Sequence, residues 1–242
     1  MAAREAGLIG LIGGMSWESS ALYYRLLNRE AHRRLGGHHN ARSVLHTLDF
    51  DELNRAAAED RWDIVGDRVV DAARSLKAAG AAFAMITSVT GHMVADRVEA
   101  TVDLPLLHLA DPTAIAISAR GYSRVGLLAT RFTMEKDFFI QRLRTRAGLD
   151  VLVPEKPQRD ALHRIIIDEL TLGNFTEPSR QHLVGMAGEL KARGAEAVIL
   201  GCTELPLLAS ADLYPLPVFD VTALHVEAAV DRALASGETI DD

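Results

Sequence analysis

The chain has 242 residues, 48% hydrophobic and 24% charged, enough for one large α/β domain or two compact ones of about 100–150 residues. Its 26 Lys and Arg against 33 Asp and Glu give a formal net charge of −7, a balance that argues against a nucleic-acid-binding face and for small molecules as partners. A single cysteine, Cys202, rules out an intrachain disulfide and a Cys-based zinc cage and suits a reducing compartment. The opening MAAREAG does not read as a secretion leader, and no apolar run approaches the ~20 residues of a membrane helix, so a cytoplasmic protein without a membrane partner is expected.

In chain order, GLIGLI (7–12), RSVLHTL (42–48), AAFAMITS (81–88), LPLLHL (104–109), RVGLLAT (124–130), VLV (151–153), AEAVILG (195–201) and LPVF (216–219) read as strands. Apolar runs this continuous belong to parallel sheets covered on both faces. Between them, 18–35, 61–80, 136–148 and 179–194 carry apolar residues at three- and four-residue spacing, the mark of amphipathic helices. The alternation predicts an α/β fold.

The second half repeats the first. AAGAAFAMITS (78–88) matches ARGAEAVILGC (192–202), with an offset of 114 residues that relates Gly80 to Gly194 and Ser88 to Cys202. A Leu-Pro segment follows each, at 104 and at 216, and IGLIGG (9–14) has its counterpart in VGLLAT (125–130). Ligands of open α/β sheets bind at the carboxyl ends of strands. Two such halves are therefore expected to present Ser88 and Cys202 from opposite sides of an inter-domain cleft.

The strand-end loops carry the candidate chemistry. In GLIGLIGGMSWESS (7–20), Gly14, Met15 and Ser16 lead from a strand into a helix, a place where backbone N–H groups can hold an anion, with Ser16 as the helix cap. Gly10-Leu-Ile-Gly13-Gly14 departs from the dinucleotide fingerprint, which makes NAD a poor candidate. SVTGHM (88–93) offers Ser88, Thr90 and His92, and GCTE (201–204) offers Cys202, Thr203 and Glu204. His92 suits capping as well as acid–base work. Cys202 becomes a usable base where N–H dipoles or a cation stabilise its thiolate, whereas Ser88 is a much weaker acid. Thr130 and Thr133 flank a third loop that suits carboxylate binding, although a helix cap at Thr133 would also explain it. Nine histidines include the adjacent pair His38-His39 in a Gly-rich loop but no metal-binding motif, so no metal is expected.

GLIGGMSWESS, HTLDF (46–50), ATRFTM (129–134), DELTLGNFTEPSR (168–180), GCTEL (201–205) and PVFD (217–220) together resemble the aspartate/glutamate racemase family over nearly the whole chain. The resemblance implies two α/β domains related by pseudo-two-fold symmetry, 1–112 with a returning 221–242 and 113–220. It also implies a cleft active site, no cofactor, a small carboxylate substrate and a homodimer. Members place a Cys or Thr before Asn-Thr in the first half and a Cys in Gly-Cys-Thr-Glu in the second, which map to Ser88 and Cys202. Val89 stands in place of the Asn, and Asn174 in place of a basic residue that some members carry. The implied activity is two-base α-proton transfer on aspartate or glutamate with Cys202 and Ser88 as the pair, since an acid and a base must flank the carbon. A single-thiol decarboxylase of the same superfamily and a non-catalytic small-acid-binding protein are the alternatives.

Overall fold

Along the first buried strand, neighbouring side chains face opposite ways, and the helices sort accordingly. The computed structural model describes residues 4–236 and 238–239. They fall into two units, Met1–His108 with His225–Asp242, and Leu109–Leu224.

In the first unit the order is β1 (Arg4–Glu5), β2 (Ile9–Gly13), α1 (Trp17–Leu35), β3 (Ser43–Thr47), α2 (Phe50–Ala58), α3 (Trp62–Ala78), β4 (Phe83–Ile86) and α4 (Ala95–Thr101). β2, β3 and β4 form a parallel sheet in the order β3-β2-β4. Ile9, Leu11, Phe83 and Met85 pack with Tyr23 and Leu27 of α1 and with Val226, Ala229, Val230 and Ala233. Ile12, Ala84 and Ile86 pack instead with Leu53, Val65, Val69 and Val98 from α2, α3 and α4. Helices therefore cover the sheet on both faces, which is why its strands read as continuous apolar runs.

The second unit runs α5 (Ala110–Ala119), β5 (Arg124–Ala129), α6 (Arg131–Glu135), α7 (Asp137–Ala147), β6 (Asp150–Leu152), α8 (Lys156–Arg164), α9 (Glu177–Ala192), β7 (Ala197–Gly201), α10 (Leu205–Leu208) and β8 (Val218–Asp220). Its parallel sheet has the order β6-β5-β7-β8, with α8 and α9 packed on β5. A π-helical segment, Ile165–Glu169, extends α8. The division between the units falls inside α11 (Val221–Ala235), and β9 (Glu238–Thr239) pairs antiparallel with β1. Among the described residues no helix is long and apolar enough to cross a membrane.

The two sheets share a register as well as an order. Ile9 faces Ser43 and Phe83, and Val125 faces Val151 and Ala197. One segment departs from its sequence reading. Residues 104–109 contribute a single bridge, Leu106 to Ala84, in place of a strand. Pro105 supplies only its carbonyl, to Ala84 N–H at 2.8 Å, and helix α5 begins at Ala110 before a ladder can extend.

Candidate active site

At the end of β2 the chain turns sharply through Gly14, whose φ is +91°. A Cβ there would lie 2.1 Å from the Leu48 carbonyl oxygen, so only glycine fits. The Gly14 N–H donates to Ser20 Oγ at 2.8 Å, and Ser20 Oγ donates in turn to the Ser16 carbonyl at 3.0 Å. This corrects the expectation that the Gly14 amide faces a ligand: its donor is used inside the turn, and its contribution is conformational. Ser16 caps α1 as expected, with Oγ accepting from Ser19 N–H at 3.2 Å. Met15 is buried, its sulfur beside Gly91. Gly14→Ala is expected to destabilise the protein by about 2 kcal/mol or more, from left-handed strain plus the clash, read as a lower Tm in thermal unfolding.

Two residues beyond β4 comes Ser88, which is buried and accepts from Gly91 N–H at 3.2 Å. Val89 is also buried, and Thr90 opens a 3-10 turn, Thr90–Val94. His92 Nδ1 lies 2.8 Å from the Ser88 carbonyl oxygen. A carbonyl only accepts, so Nδ1 carries a proton and holds the Ser88 backbone. The His92 ring sits 4.5 Å from His108 and 5.9 Å from His225 between centroids. His225 Nε2 donates to the Leu107 carbonyl at 2.8 Å, leaving Nδ1 to accept from Tyr23 OH at 2.9 Å. His92 thus belongs to a buried group of histidines that braces the Ser88 loop.

In the second unit, Thr130 follows β5 and caps α6, its Oγ1 accepting from Thr133 N–H at 3.4 Å. The cap is therefore Thr130, and Thr133 lies inside the helix with its N–H engaged. β7 delivers Cys202, the register counterpart of Ser88: Ile86 and Leu200, two residues earlier, pair with Ile12 and Leu128 of their own sheets. Cys202 Sγ donates to Glu204 Oε2 at 3.0 Å, and Thr203 Oγ1 donates to the same oxygen at 2.8 Å. All three residues are buried. Burial pushes the thiol well above the ordinary range, and the Glu204 carboxylate raises it further, against partial relief from the Thr203 and Glu204 backbone N–H groups. The sequence reading left room for a thiolate stabilised by a cation or N–H dipoles; the dominant neighbour is a carboxylate, and the resting group is the thiol.

Asp220, quoted in PVFD but given no role there, stands at the end of β8 and accepts from Thr222 N–H at 2.8 Å. Burial raises its carboxyl above the usual range, outweighing the backbone donors that cap α11. The neutral form is favoured on folding, so this contribution to stability is present below the unfolded carboxylate pKa and is lost as pH rises through the higher folded value. Asp220→Asn keeps the acceptor and removes the buried charge. Its Tm is expected to exceed that of the parent at pH 8, with the difference shrinking on titration toward pH 4 in a thermal-unfolding series. His108 and His225 carry no sequence signal, each being one polar residue inside an apolar strand-like or helical run, and Ser20 is one of several polar residues at the start of α1 with no spacing to mark it.

A family model described as Asp/Glu/Hydantoin racemase matches residues 12–229. The chain belongs to that family. Among Asp/Glu racemase structures, one from Yersinia pestis, so described only provisionally, is 44% identical with a TM-score of 0.86, covering 94% of this chain and 99% of that one. An aspartate racemase homologue from Pyrococcus horikoshii OT3 is 32% identical with a TM-score of 0.78, at the same coverage of 94% and 99%. A glutamate racemase of Pseudomonas entomophila is 33% identical over 135 residues, 54% of this chain and 48% of the relative, so the match spans about half the length of that curated relative.

Proposed function

We propose that the chain is a cofactor-independent racemase of an acidic amino acid, aspartate or glutamate, with Cys202 as one acid/base and Ser88 as the opposite, weaker one. The observation that carries this reading is the buried Cys202–Glu204 pair at the end of β7, with Sγ 3.0 Å from Oε2. Transfer of the thiol proton to Glu204 leaves a thiolate able to take the substrate α-proton, and Ser88 Oγ delivers a proton to the other face of the same carbon. The Gly91 N–H, 3.2 Å from Ser88 Oγ, offsets the charge that develops there. The reading requires both groups to reach one bound α-carbon, with Thr90 and Thr130 as donors to the substrate carboxylates, the Thr203 hydroxyl being committed to Glu204. Family membership and relatives named for aspartate and glutamate chemistry support the substrate class.

One observation also favours a second reaction. A buried thiol held protonated, together with the buried apolar Val89 where the family pattern has Asn, suits a decarboxylase in which a single Cys protonates an enediolate. The test is incubation with L- and D-aspartate and L- and D-glutamate in deuterated water, following the α-proton by NMR and the enantiomers by chiral chromatography. Exchange with interconversion is expected. No exchange with any of the four, together with CO₂ release from a disubstituted malonate, would replace the racemase by the decarboxylase. Ligand-induced thermal stabilisation without either turnover would leave a binding protein.

A further inference from the structure

Helix α1 carries an exposed groove that the candidate active site does not use. Arg25 and Arg29 stand four residues apart on one helix face, an arrangement of like charges that disfavours an isolated helix. Further along the helix, Arg33 and Arg34 are paired with Glu30, and Arg34 also with Asp231. Among the described residues Arg25 and Arg29 have no carboxylate partner, and no Asp or Glu lines the groove, in a chain of net charge −7.

The opposite wall is built rather than incidental. Gly36 and Gly37 both take positive φ, +72° and +55°, which turns the chain back along the helix it has just left. Asn28 then ties the returning strand down: its Oδ1 accepts from Ala41 N–H at 3.1 Å while its Nδ2 donates to the Tyr24 carbonyl at 2.7 Å. The result places His38, His39 and Asn40 across from Arg25, Arg29 and His32. The His38-His39 pair noted in the sequence finds its place here.

The geometry points to a binding site for a small molecule bearing a diphosphate group. Each guanidinium presents a planar fork of N–H donors that matches phosphate oxygens in pairs, and two forks one helical turn apart suit two linked phosphoryl groups better than one carboxylate. The imidazole N–H groups and the Asn40 amide add donors from the facing loop. The groove is assigned independently of the racemase reading, and no residue of that reading lines it.

Calorimetric titration of the full chain with pyrophosphate, inorganic phosphate and aspartate, at matched ionic strength in 50 mM and 150 mM NaCl, tests the assignment. Pyrophosphate is expected to bind with a sub-millimolar Kd, tighter than either other anion, and more weakly at the higher salt. Arg25→Ala and Arg29→Ala are each expected to weaken it at least tenfold, and Arg25→Lys to recover only part of the loss, because the ammonium cannot make the paired contact. These side chains are exposed, so the variants should keep the parent's circular dichroism and Tm. Equal binding of pyrophosphate and aspartate, or binding unchanged in both alanine variants, would overturn the site. So would sedimentation showing self-association that Arg29→Glu abolishes and pyrophosphate does not affect, since the groove would then serve a second copy of the chain.

Discussion

Cys202→Ala is expected to remove α-proton exchange with acidic amino acids by about three orders of magnitude or more, the range assigned to a positioned acid–base group. Sγ is buried and donates to Glu204 Oε2, so alanine leaves that carboxylate with the Thr203 hydroxyl as a neighbouring donor and leaves nothing to touch the substrate carbon. Cys202→Ser separates chemistry from packing. Serine keeps a hydroxyl donor to Glu204, so the Tm should stay near that of the parent, while the weaker acid should still lose most of the exchange. The check is the NMR exchange rate for both variants beside thermal unfolding. Exchange retained in Cys202→Ala would remove the thiol from the reaction.

Glu204→Gln divides two roles that the proposed mechanism gives the carboxylate at once. The negative charge helps to hold the thiol protonated, so its removal should shift Cys202 ionisation toward lower pH, and alkylation by iodoacetamide at pH 7.5 should speed up several-fold. The same substitution removes the acceptor for the thiol proton, so exchange of the substrate α-proton should fall by about 10²-fold. A faster-reacting thiol in a slower enzyme is the signature of a proton acceptor. If alkylation and exchange rise together, Glu204 only restrains the thiol and the proton leaves by another route.

Much of this was readable from the residues. The parallel sheets follow from runs such as Ile9–Ile12 and Ala197–Leu200, which are apolar at every position because helices bury both faces. The repeat was readable for the same reason, since equal register places Ser88 and Cys202 each two residues after equivalent pairs, Ile12 with Ile86 and Leu128 with Leu200. The sign of the electrostatics at Cys202 was not. Glu204 is two residues away in sequence, and only the fold of the loop brings its Oε2 back onto Sγ, where a carboxylate disfavours the thiolate. At Gly14 the sequence reading looked to the amide, whereas in the structure its missing Cβ permits the turn and its N–H is occupied by Ser20, six residues on. The histidine group behind Ser88 joins positions more than a hundred residues apart, His108 and His225, and no spacing rule spans that interval.

The interruption of the first unit bears on how the chain is made. Leu109–Leu224 is one continuous stretch and has all of its sheet once β8 emerges from the ribosome. The unit that starts first cannot close then, because Val226, Ala229, Val230 and Ala233, together with the His225 acceptor for Tyr23, are still to be synthesised. Until they arrive, that apolar sheet face, formed by Ile9, Leu11, Phe83 and Met85, has Tyr23 and Leu27 of α1 but lacks its second helix. Translation therefore reverses the usual N-terminal-first order of maturation: the internal segment can settle co-translationally, and the leading segment completes last.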